Sequence, residues 1–173
     1  AAESLLQPEA FDPATFDREV RLGIGEWCLF LLDGATLVRL REAAPRLRLW
    51  IDTLDGDGAR KLQDGLFDVG IWYADHVPPS LHAIELFSDR YVGVVHADHP
   101  LATQQPSPQL QDYLQYPHLH IELPGMQDDP LHEVLDRLEA DRTIRISTSS
   151  FLAAFPPLTH SSLVGTVPFQ LVA

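Results

Sequence analysis

From Glu19 onward the apolar residues switch repeatedly between a two-residue and a three-to-four-residue period, and that alternation leaves few folds open. Glu19–Gly25 puts Val20, Leu22 and Ile24 on one face, as a half-buried strand does. Trp27–Ala44 carries Cys28, Leu31, Leu32, Ala35 and Val38 at helical spacing, and Pro45 stops it. Gly34 falls mid-helix on this reading, at a cost of about 1 kcal/mol relative to Ala. Arg46–Asp52 is predicted as a second strand, Asp57 as the cap of a short helix ending at Asp64 and Gly65, and Val69–Tyr73 as a third strand. Strands separated by helices at this spacing pair in parallel, so the fold class is α/β.

The same alternation returns after Leu86–Ala102, LFSDRYVGVVHADHPLA. Leu81–Phe87 and Tyr91–His96 are predicted as strands on either side of a hinge near Ser88. Ser107 and Pro108 start a helix through Leu114 that Pro117 closes, and His118–Glu122 follows as a strand. Asp129-Pro130 opens a helix bearing Leu131, Val134, Leu135 and Leu138; Arg142–Ser147 is a further strand. Ser149 or Ser150 caps a helix from Phe151 that Pro156-Pro157 shortens, and Leu163–Pro168 is the last strand. The expected division is 1–18 as the end of a linker, 19–87 as one lobe and 88–173 as another. A cleft between lobes is where a small ligand binds by default.

Twelve Lys and Arg against 25 Asp and Glu give a net charge of −13, which repels a phosphate backbone. Direct contact between this chain and nucleic acid is therefore not expected. The lone cysteine, Cys28, allows neither an internal disulfide nor a thiolate cage. No apolar run approaches the roughly 18 residues of a membrane span, and the first residues lack the basic and apolar regions of a signal peptide. These features fit a cytoplasmic location.

Gly23-Ile24-Gly25 precedes a helix, but Cys28 stands where a dinucleotide fingerprint needs its third glycine. Gly25 still permits close approach, and the N–H groups from Glu26 to Leu29 face the strand ends; Glu26 itself would oppose an anion there. Thr148, Ser149, Ser150 and Phe151 repeat the arrangement in the second half, with more hydroxyls than one cap requires. Trp27, Trp72 and Tyr73 lie at strand ends or first turns; Trp72 and Tyr73, being adjacent, face opposite ways. Flat aromatic walls beside hydroxyl and N–H donors suit a small aromatic or organic acid. His118 and His120 alternate with Glu122, yet three ligands on one strand do not enclose a metal. Asp55-Gly56-Asp57-Gly58 lacks the acid that closes a calcium loop. No nucleophile elbow or paired acid and base is present, and Cys28 fits the apolar face of its helix. No catalytic residue, metal or cofactor is expected.

Several stretches resemble the effector-binding domain of LysR-type transcriptional regulators: Phe11-Asp12-Pro13-Ala14, Arg39–Pro45, Leu62–Val69, Asp89-Arg90-Tyr91-Val92, His96–Ala102 and Ser150–Ala154. Their order and spacing cover nearly the whole chain. The resemblance implies two Rossmann-like lobes of type II periplasmic-binding-protein architecture, truncated at the C-terminus because the return to the first lobe would lie beyond Ala173. It implies a small-molecule effector held by Gly25, Glu26, Trp27 and Thr53 from one lobe and by the segment near His120 and Thr148–Phe151 from the other; Trp72, from its strand-end position alone, is a further candidate wall. It also implies a homodimer or homotetramer, and DNA binding only through an N-terminal winged helix-turn-helix that this sequence does not contain. A solute-binding protein of a transport system shares the fold and is the alternative reading. A deaminase or dehydratase on that fold and a purely structural dimerisation module are further alternatives.

Overall fold

A computed structural model describes residues 11–73, 77–124 and 129–173 of the protein; of the linker expected at 1–18, residues 1–10 lie outside the described residues. The first three strands, β1 (Glu19–Ile24), β2 (Arg48–Thr53) and β3 (Val69–Ile71), form one parallel sheet in the order β2-β1-β3. Parallel pairing is what the strand–helix alternation predicted. The central strand buries Leu22 and Ile24, and Cys28 and Leu54 join them.

The helix expected over Trp27–Ala44 is instead two elements. A 3-10 segment covers Glu26–Leu32, and α1 runs from Gly34 to Ala43. Asp33 makes the break: its backbone is extended and its carboxylate accepts from the Thr36 N–H at 2.7 Å, a strong helix-start signal. Gly34 thus opens α1, and the interior penalty expected for it does not arise. The next helix, α2, spans Gly58–Gln63. Asp57 precedes it but makes no cap bond to its backbone, reaching the Arg60 guanidinium instead. Gly65, with φ +71°, turns the chain out of α2 in a conformation that side chains with a Cβ resist.

No strand forms at Leu81–Phe87, contrary to expectation. The segment is irregular, and Ile84 and Leu86 are exposed, at 74% and 60%. Its apolar residues meet the compositional requirement for a strand, but among the described residues no neighbouring strand pairs with it. Phe87 is held by an edge-on contact with Phe30.

Beyond Asp89 the strands β4 (Tyr91–Val94), β5 (His118–Ile121), β6 (Ile144–Thr148) and β7 (Gly165–Pro168) alternate with α3 (Pro100–Thr103), α4 (Leu110–Leu114), α5 (Pro130–Arg137) and α6 (Phe151–Leu158). β5 pairs with β6 in parallel, and β4 with β7 antiparallel. A single bridge from His118 to Val164 connects the two ladders. Leu119, Ala154, Leu158 and Leu163 form the core here, with Val94 and Ile121 against it. Burial of each large side chain is worth about 1.5–3 kcal/mol. β4 stops short of His96 because the chain turns there into α3, whose first free N–H, that of Leu101, is capped by the His99 ring. The fourth helix begins at Leu110 rather than Pro108, since Gln109 and Asp112 cap one another's backbone.

The two groups of strands are not one continuous sheet. β4 begins beside the end of β7, and the turn after β7 joins the two groups. The Phe169 N–H donates to the Arg90 carbonyl at 2.8 Å, the Gln170 N–H to Asp89, and the Arg90 guanidinium lies 4.1 Å over the Phe169 ring. The final turn, Phe169–Leu171, then packs against the Glu26–Leu32 segment.

Candidate functional site

β1 ends at Ile24 and β6 at Thr148, and the turns after them meet. Gly25 is fixed by its N–H donating to the Ile71 carbonyl of β3 at 2.7 Å. Its missing Cβ admits the Trp27 ring, since an added methyl would lie 3.0 Å from the indole. That indole also meets the edge of the Phe151 ring, with centroids 6.0 Å apart.

Between these aromatics runs the contact that defines the place. The Glu26 carboxylate accepts from the Ser150 hydroxyl at 2.7 Å and from the Phe151 N–H at 2.5 Å. Ser150 is the N-cap of α6, and its oxygen accepts in turn from the Ala153 N–H at 3.1 Å. A carboxylate at a helix start satisfies an orphan N–H and faces the positive end of the helix dipole. The opposition expected between Glu26 and an anion is resolved by Glu26 serving as the anion.

Five of the expected residues therefore come together: Gly25, Glu26, Trp27, Ser150 and Phe151. Thr148 pairs in register with Ile121 at the end of β6, and Ser149 is exposed in the turn beside them. Thr53 is exposed at the end of β2, opposite Ile24. The Trp72 ring packs on Gly58 and Gly70, where added methyl groups would lie 3.3 and 2.6 Å from it, so it covers α2 and β3. His120 is half-buried, and its Nδ1 accepts from the Arg142 guanidinium at 2.9 Å. That guanidinium, only 6% exposed, also reaches Asp129 at 3.4 Å.

Sequence reasoning missed the Glu26–Ser150 bridge and the Arg142–Asp129 pair beside His120. The first had a signal: an acid directly after a strand-end glycine, in a chain with a second, hydroxyl-rich strand end. The second had none, because Arg142 and Asp129 come from separate elements. His118 and His120 differ in surroundings: His118 is fully buried and donates from Nε2 to the Tyr113 carbonyl, whereas His120 is half-buried against Arg142. Burial lowers the pKa of His118, and Arg142 adds to the effect. Cys28, 3% exposed, has its thiol pushed up to about 11 by burial and then by the Asp89 charge, opposite to what a nucleophile requires. No group of three or more His, Cys, Asp or Glu among the described residues could hold a metal ion.

The fold recurs in solved structures. A probable transcriptional regulator from Pseudomonas aeruginosa superposes with a TM-score of 0.78 at 24% identity, over 92% of this chain and 54% of that one, so the sequence spans about half of that regulator's length. The regulatory domain of MexT, a transcriptional activator of the same organism, gives 0.68 at 22% identity over 92% of this chain and 76% of its own. The CcmR regulatory domain of Synechocystis PCC6803 in complex with 2-PG gives 0.74 at 14% identity, over 90% and 74%. These neighbours place the chain in the type II periplasmic-binding-protein-like α/β architecture. The family model for the LysR substrate binding domain matches residues 14–173, and the chain belongs to that family.

Proposed function

We propose that this chain is the ligand-sensing domain of a LysR-type transcriptional regulator, holding a small organic effector between lobes formed by residues 19–87 and 88–173. The observation that carries the reading is the meeting of two strand-end turns, Gly25–Trp27 after β1 and Ser150–Phe151 after β6. Such facing strand ends form a crevice in open α/β sheets. Family membership supports a sensory rather than a transport role. The CcmR domain, solved with 2-PG, supports a small molecule as the occupant. In this reading Thr53, His120, Thr148 and Ser149 complete the effector site, with Trp72 as a further wall.

Binding is reversible and involves no chemistry. The effector shifts the balance between two lobe arrangements by its difference in affinity for them, a tenfold preference being worth about 1.4 kcal/mol. DNA contact belongs to a winged helix-turn-helix N-terminal to this chain in the whole regulator, which assembles as a homo-oligomer in the cytoplasm. Among the described residues no helix is long and apolar enough to cross a membrane.

The test is a thermal-shift screen of the 173-residue chain against aromatic and aliphatic acids, alcohols and amines. A specific ligand at a hundredfold excess over its dissociation constant stabilises by about 2.7 kcal/mol, which raises Tm by roughly 5–10 °C for a chain of this size. Failure of every compound class to move Tm, or consumption of a compound on incubation, overturns the reading.

A further inference from the structure

We infer that Glu26 is a resident carboxylate which sets the class of effector this domain accepts: a molecule bringing a hydroxyl or ammonium donor to the head of α6 instead of an acid. The inference rests on the effector site proposed above. Ser150 has one hydroxyl hydrogen, and Glu26 takes it; the Phe151 N–H is taken as well. The Ala153 N–H is spent on the Ser150 oxygen. An incoming carboxylate therefore finds the Ser150, Phe151 and Ala153 donors in use and a like charge at contact distance. Among the described residues no Lys, Arg or His nitrogen stands within 4 Å of the Glu26 carboxylate to offset that charge. A carboxylate has about four acceptor sites, and two bonds leave capacity for new donors. The Trp27 and Phe151 rings beside it supply faces that suit an aromatic body or a cation.

Two measurements on the 173-residue chain test this. In the first, Glu26→Ala empties the donors, so formate and acetate should raise the Tm of the variant by about 3–5 °C at a tenfold excess over their dissociation constants. Chloride at equal ionic strength should not, and wild type should gain nothing from either acid. In the second, phenylacetate, 2-phenylethanol and 2-phenylethylamine form a matched probe series. Wild type should bind the alcohol or the amine at least tenfold more tightly than the acid, and Glu26→Ala should reverse the order. Which of the two neutral or cationic probes wins separates a hydroxyl from an ammonium effector.

Equal stabilisation of wild type and variant by acetate, or no response of the variant to it, overturns the inference while leaving the effector site standing. Rescue by acetate with no effector found in any screen supports Glu26 as the resident anion and counts against the sensor reading alone. Should Glu26→Ala not fold, Glu26→Gln keeps the shape and one acceptor. Slow hydrogen exchange at the Phe151 amide in wild type, hastened at least tenfold in Glu26→Gln, then supports the inference, and unchanged exchange overturns it.

Discussion

His118 carries a cost that the rest of the molecule has to offset. Its side chain is fully buried, its Nε2 donates to the Tyr113 carbonyl, and its Nδ1 has no partner. The carbonyl can only accept, so the ring proton sits on Nε2 and the bare lone pair faces a low-dielectric interior. Burial followed by the Arg142 charge lowers the folded-state pKa below the ordinary 6.5. The unfolded chain therefore binds this proton more readily than the folded one. Stability is complete above about pH 6.5 and falls as pH drops from there toward the depressed folded value, where the slope ends. Thermal melts from pH 7.5 to 5 should show the loss, and His118→Gln, which keeps the bond to Tyr113 but cannot ionise, should flatten that part of the profile. An identical profile in the variant would exclude His118 as the source.

Helix starts are where local chemistry decides most here, and Asp129 illustrates it. One carboxylate oxygen caps α5 through the Leu131 N–H at 3.0 Å, while the other faces the buried Arg142 guanidinium. Asp129→Ala should destabilise by about 2 kcal/mol in urea unfolding, from the lost cap and a charge left with His120 alone. Asn caps as well as Asp, so Asp129→Asn should recover roughly half of that. The same chemistry explains which elements the sequence made legible. Asp129-Pro130, Ser150 and the alternation of Val20, Leu22 and Ile24 were readable because cap and period sit within a few residues. The break at Asp33 inside the helix expected over Trp27–Ala44 was not legible, because the helical spacing continues across it and only the bond from the Thr36 N–H shows it. Leu81–Phe87 was misjudged because a strand needs a partner, and pairing is not a local property. At the site, Gly25, Trp27, Ser150 and Phe151 were legible from strand-end logic. The direction of the Glu26 side chain was not, since it depends on a donor 124 residues away.

At the scale of the whole molecule, the acidic balance weighs against direct contact with nucleic acid. A net charge of −13 opposes association with a polyanion, most strongly at low salt where screening is weakest. The 173-residue chain should leave a duplex of about 30 base pairs unretarded in a gel even at roughly 50 mM salt, where electrostatic binding is strongest. Retardation would place DNA contact within these residues and contradict the division of labour proposed above. β2 is an edge strand and exposes Trp50, at 60%, on one face and Ile51, at 41%, on the other, apolar surface of a kind that protein contacts cover.

The pairing of Tyr91 with Pro168, where β4 begins and β7 ends, has a topological meaning. Everything between those two residues departs from one spot and comes home to it, like a parcel tied into the chain by a single knot. A piece with neighbouring ends can be cut out, joined head to tail through a short linker, or transplanted into another host at little cost in connectivity. The segment from Tyr91 to Pro168 is thus a natural cassette, with its own apolar centre around Leu119 and Leu158.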